Sequence, residues 1–72
     1  MTPGTQVIID VEVAETLTKQ GRYVTSWVTH DTMGKQGTVV SSQAGQSLVQ
    51  LDENRFAVVS DGDLDLVVEE EV

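Results

Sequence analysis

His30 is the chain's single histidine, and Ser26 and Asp31 lie within six positions of it. These are the residue types of nucleophilic catalysis, which needs a nucleophile, a base and an orienting acid converging within hydrogen-bond reach, together with an oxyanion hole. Along an extended segment, however, residues 30 and 31 point to opposite sides, and no nucleophile-elbow motif is present. A surface histidine in a turn is the simpler reading. Asp61-Gly62-Asp63-Leu64-Asp65 sets carboxylates at alternate positions, a pattern that suits a hard cation. Counted from Asp61, the places where a calcium loop wants glycine and glutamate hold Leu66 and Val72, so that motif fails and a solvated turn is expected. Gly34-Lys35-Gln36-Gly37 is not a phosphate loop, because it lacks a GK[ST] ending. A carboxylate pair for glycoside hydrolysis would need a deep cleft, which so small a domain has little room to build. No catalytic, cofactor-binding or metal-ligating residues are therefore assigned, and the chain is not expected to be an enzyme.

The elements that must position any other site follow from composition. The 72 residues make one domain, numbered 1–72, with 1–4 and 70–72 as flexible ends. A domain this small buries only about 60% of the surface its unfolded chain exposes. With one Trp, one Tyr and one Phe, burial falls mainly to Val, Ile and Leu. The absence of cysteine excludes both a disulfide framework and a thiolate metal site. Some stability is then expected from a partner or from association into a homo-oligomer. No run approaches the roughly 20 apolar residues of a spanning helix, and MTPGTQ does not resemble a secretory signal. No membrane insertion and a cytoplasmic location are the expectations.

Four Lys/Arg against twelve Asp/Glu give a net charge of −8, unevenly spread. Residues 1–36 carry four acids and three bases, whereas residues 37–72 carry eight acids and Arg55 alone. Such a surface repels phosphate backbones, so direct contact with nucleic acid is not expected. A larger, basic protein partner is permitted, since complementary charge steers encounter. The same acids would also serve plain solubility.

In chain order, Pro3-Gly4 reads as a turn. Thr5–Val13 alternates cleanly, with Val7, Ile9, Val11 and Val13 on one face, which predicts a half-buried strand. Ala14–Gln20 carries a Glu15/Lys19 pair at helical spacing and a possible cap in Gly21, yet is only about two turns long. A long loop with one helical turn is predicted there. Arg22–Thr29 is rich in β-formers without clean alternation and predicts an edge strand or extended arm. Gly37–Ser42 and Ser47–Leu51 flank Gln43-Ala44-Gly45-Gln46 and predict a hairpin. Asp52-Glu53-Asn54 predicts a second, leading into Arg55–Ser60. Ser60–Leu64 reads as a turn or one turn of 3₁₀ helix, Leu64–Glu69 as the last strand, and Glu70–Val72 as an acidic tail.

Gly34-Lys35-Gln36-Gly37-Thr38-Val39-Val40 followed by Leu48-Val49-Gln50-Leu51-Asp52 resembles the KOW-type pattern of small SH3-like barrels. Gly4–Ile9, a long loop and then Gly37-Thr38-Val39 is similar in layout to the electron-transport accessory group within them. The resemblance implies an all-β fold, a small five- to six-stranded SH3-like barrel with a long loop after the first strand. It also implies either a docking module or an accessory subunit of a photosynthetic or redox electron-transfer complex. Basic residues that would meet RNA in KOW modules are missing here, with Arg55 alone in the corresponding half.

The functional expectation is a non-catalytic interaction module that docks on a larger protein. The alternatives are an acidic, phage-type inhibitor that imitates nucleic-acid charge in a basic groove, and the accessory subunit just described. The residues expected to meet a partner are Tyr23 and Trp27 in the long connection and Asp61, Asp63 and Asp65 on the acidic face. Aromatics are enriched at interface hot spots. Trp27 can equally plug one end of a barrel.

Overall fold

The structure, a computed structural model, describes residues 2–67. The described chain is all-β: seven strands form one antiparallel sheet. In sequence they are β1 (Gln6–Ile9), β2 (Ala14–Gln20), β3 (Tyr23–Thr29), β4 (Gln36–Gln43), β5 (Gln46–Gln50), β6 (Arg55–Ser60) and β7 (Leu64–Leu66), with a 3₁₀ turn at Asp61–Asp63 before the last. Their order across the sheet is β3-β2-β6-β5-β4-β1-β7. Among the described residues no helix is long and apolar enough to cross a membrane.

The predicted hairpin is the β4–β5 pair, running from Thr38↔Gln50 to Gln43↔Gln46. Its link is tighter than the four-residue one predicted. Ala44 and Gly45 alone make the turn, both at positive φ (55° and 78°), as a type I′ turn requires to match strand twist. A bulge at Val40 shifts the register between Val39 and Ser41, and bulges bend a strand and increase its twist. Gly37 in β4 is buried. A Cβ there would lie 2.5 Å from Val49 Cγ1 and 2.6 Å from the Gln50 carbonyl oxygen, so only glycine lets the two strands approach so closely.

The largest correction concerns the long loop after the first strand. Ala14–Gln20 is not a loop with a helical turn but strand β2, and the fold has seven strands rather than five or six. β2 pairs with β3 over its full length and with β6 from Glu15↔Val58 to Thr18↔Arg55. Two ladders satisfy its backbone on both sides, which outweighs the few tenths of a kcal/mol that a Glu15–Lys19 helical pair offers. Ala14 and Thr16 alternate inward, both buried. Gly21, at φ +60°, takes the first central position of the β2–β3 turn, where a type II′ hairpin wants glycine.

β1 is the second correction. Alternation extended it to Val13, but the strand stops at Ile9. Residues 10–13 then spend their backbone groups on other segments. The Asp10 amide donates to the Asp63 carbonyl at 2.7 Å, the Thr32 amide to Glu12 at 3.1 Å, and the buried Thr32 hydroxyl to the Val11 carbonyl at 2.7 Å. Val13 is consequently exposed. The last strand is described only as Leu64–Leu66, extended by a bond from the Val67 amide to Gln6; the remainder of the predicted Leu64–Glu69 strand and the tail lie outside the described residues.

This connector also curls the sheet. β1 and β2 are separated by β6, β5 and β4, about 19 Å in a flat sheet, and the fully stretched span from Ile9 to Ala14 is at most about 17–18 Å. A bent connector therefore draws the two strands together. Val7, Ile9, Ala14, Val39, Val49, Ala57, Val59 and Leu64 meet inside as one core. No aromatic ring enters it.

Candidate functional site: a groove beside Trp27

Directly opposed residues of an antiparallel pair share a face. Thr16 is buried on the inner face, so its partner Trp27 lies on that face too, as do Thr29 and Tyr23. Beyond the core, this inner face continues as an open groove of about 510 Å³. Trp27 and Thr16 form one wall, Leu51 and Arg55 another, and Lys35 closes a side. Leu51 also packs against the core, joining the groove floor to it. Trp27 is 46% exposed, so it is neither a core plug nor a free side chain.

Hydrogen bonds hold this wall. The Thr16 hydroxyl donates to the Trp27 carbonyl at 3.3 Å, which leaves Thr29 to donate to Thr16 across 2.7 Å. On the far side, one Asp52 carboxylate oxygen accepts the amides of Asn54 and Arg55, each at 3.0 Å, shaping the β5–β6 turn. The other faces Arg55 Nε at 3.9 Å. Both side chains are more than half exposed, so that ion pair adds little. Two of the chain's four Lys/Arg thus line one groove in a strongly acidic protein.

The five residues expected to meet a partner divide into two groups. Trp27 lines the groove, and Tyr23 shares its face at the hairpin tip, 79% exposed. Asp61, Asp63 and Asp65 sit in the 3₁₀ turn and β7, at the other end of the sheet order. Asp61 accepts a hydrogen bond from the Ser47 hydroxyl, and its amide donates to Gly45 at 3.0 Å. The Ser47 bond favours the ionised form and holds the Asp61 carboxyl below its ordinary value of 3.8. Asp63 borders a smaller hollow of about 240 Å³ beside the connector. Asp65 is exposed on β7, opposite Ile8.

Ser26 points to the outer face, where its hydroxyl donates to Glu15 at 2.9 Å rather than to His30. Among the described residues no three of His, Asp and Glu gather where a metal ion could sit. Lys35, Leu51 and Arg55 escaped the sequence reading, because their neighbourhood with Trp27 depends on β2 pairing with β6. Comparison of the chain with protein-family models, with curated proteins and with solved structures returns no match.

Proposed function

We propose that the chain is a non-catalytic interaction module of the SH3-like kind, which holds an extended segment of a larger protein in the groove beside Trp27. The order of elements supports the fold reading: a first strand, a hairpin excursion, a three-strand meander, a 3₁₀ turn, and a short strand returning onto β1. The observation that carries the binding reading is the half-exposed Trp27 over an open groove whose rim holds Lys35 and Arg55. A large aromatic pinned by backbone ladders offers much contact area at little entropic cost. An apolar side chain of the ligand would stack on Trp27 and Leu51, while its polar backbone meets Thr16, Thr18 and the charged rim.

Peptides selected from a random library on the immobilised chain provide the test. Binding should change the fluorescence of Trp27, the only tryptophan, and shift the amide resonances of Leu51 and Arg55. Trp27→Ala should weaken it by about 2 kcal/mol, roughly thirtyfold, while the β circular-dichroism spectrum stays intact. Selected peptides that leave those resonances unmoved, or a Trp27→Ala chain that unfolds, would overturn the reading.

A second reading rests on the acids around β7. The Asp10 amide bonds the Asp63 carbonyl and Asp65 lies on β7, so these residues share one end of the sheet. An acidic surface there suits a basic groove normally filled by nucleic acid. Such binding would collapse with added salt, whereas capture through Trp27 would not.

A further inference from the structure

β3 lies at one end of the sheet, with one side paired to β2 and the other open among the described residues. Its seven residues, Tyr23-Val24-Thr25-Ser26-Trp27-Val28-Thr29, include no charge, proline or glycine, and no irregularity interrupts the pairing with β2. Tyr23, Val24, Trp27 and Val28 are all exposed. Soluble proteins guard sheet edges with short strands, charges or bulges, because a bare row of N–H and C=O groups templates another strand. The opposite edge has such protection: β7 carries the charged Asp65. β3 has none.

We propose that this edge pairs antiparallel with β3 of a second copy of the chain, about a twofold axis through Ser26. The strand is close to self-complementary about that residue. Val24 falls opposite Val28, Tyr23 opposite Thr29, and Thr25 opposite Trp27, giving aliphatic and aromatic–β-branched pairs of the kind that stabilise sheets. Whichever alternate set of β3 amides faces outward, it is symmetric about Ser26, so about six to eight backbone hydrogen bonds form without slippage.

Charge favours the same partner. Two copies at net −8 repel in general. In this register, though, Arg22 of one copy comes beside His30 and Asp31 of the other, so opposite charges meet at both ends of a neutral strand. On the outer face, Val24 and Val28 extend the half-buried apolar row of Leu17, Phe56, Val58 and Leu48, which the pairing would carry across the axis. Trp27 both lines the groove and stands opposite Thr25 of the second copy, so the variants that disrupt the pairing are placed at Val24 and Val28, whose side chains lie on the outer face.

Cross-linking and sedimentation test this on the whole chain. The protein has no cysteine, so Ser26→Cys introduces one thiol at the axis. Opposed Cα atoms there would be about 4.5–5.5 Å apart, within disulfide reach, and mild oxidation should give a covalent dimer quickly. Thr25→Cys is the control on the same strand: its symmetry mate lies diagonally, about 7–8 Å away, and should cross-link slowly. By sedimentation, the wild-type chain should reach twice its monomer mass as concentration rises. Val24→Lys with Val28→Lys should weaken the dimer by on the order of tenfold or more, as should Val24→Glu with Val28→Glu, and mixing the two double variants should restore pairing. A wild-type chain monomeric up to millimolar concentration would overturn the proposal. So would a dimer untouched by the paired lysines, or equal cross-linking at positions 25 and 26.

Discussion

Replacing Gly37 by alanine adds one methyl group where β4 passes β5. That carbon would sit 2.5 Å from Val49 Cγ1 and 2.6 Å from the Gln50 carbonyl oxygen, well inside van der Waals contact. Neither neighbour yields easily, since Val49 is fully buried and the Gln50 backbone lies in β5, beside the Thr38↔Gln50 pairing. Overpacking of this kind costs about 1–3 kcal/mol. The lower entropy of an unfolded alanine chain returns about 0.4–1 kcal/mol. Because one of the two clashes is with backbone, we expect the upper part of the range, a net loss of about 2 kcal/mol. The whole domain is stable by roughly 4–11 kcal/mol at its size, and the melting temperature should fall by about 8–16 °C. Urea unfolding followed by far-ultraviolet circular dichroism, at one fixed protein concentration, measures this as a lower midpoint with unchanged slope. Val49→Ala empties buried volume and costs stability by itself, but it should cost less in the Gly37→Ala chain than in wild type, because there it also removes the methyl contact. A Gly37→Ala chain within 0.5 kcal/mol of wild type, or strictly additive losses in the double variant, would refute the close-approach argument.

Other expectations act at separate points. Ala44→Gly should stabilise the β4–β5 hairpin by about 0.5–1 kcal/mol, since an L-residue at φ 55° is strained and glycine is not; thermal melts check the sign. Thr32→Val should cost about 1–3 kcal/mol, because it leaves the carbonyl of half-buried Val11 without the donor that buried Thr32 supplies, and denaturant titration reads the loss. Asp61 has a depressed carboxyl pKa when folded, so its contribution is present above its ordinary value of 3.8 and is lost as pH falls below that. Ser47→Ala removes the main cause, and melts between pH 2 and 6 should show a shallower acid decline than wild type.

Much of the framework is visible in local sequence. Val7 and Ile9 announce a core-facing strand by alternation, Ala44-Gly45 marks a hairpin, and Asp52–Asn54 a second turn whose aspartate folds back on its own backbone. The 3₁₀ turn at Asp61–Asp63 also follows from its residues. The misreadings share one cause. Glu15 and Lys19 sit at helical spacing, and nothing within a few residues reveals that Thr16 will pair with Trp27 on one side and Ala57 on the other. Val11 and Val13 continue an alternation that Thr32, some twenty positions away, interrupts by taking the connector's carbonyls. For the site, Trp27 stands out as the single tryptophan, but its neighbours Leu51 and Arg55 do not.

Residue type and spacing along the chain carried the strand-forming runs, the turns and the acidity, because backbone preference, side-chain alternation and charge act between near neighbours. Which strands lie side by side, and therefore the curl of the sheet, the groove beside Trp27 and the bare edge of β3, came only with the folded structure. Pairing energy arises between residues far apart in sequence, where the identity of each partner is set by the fold as a whole.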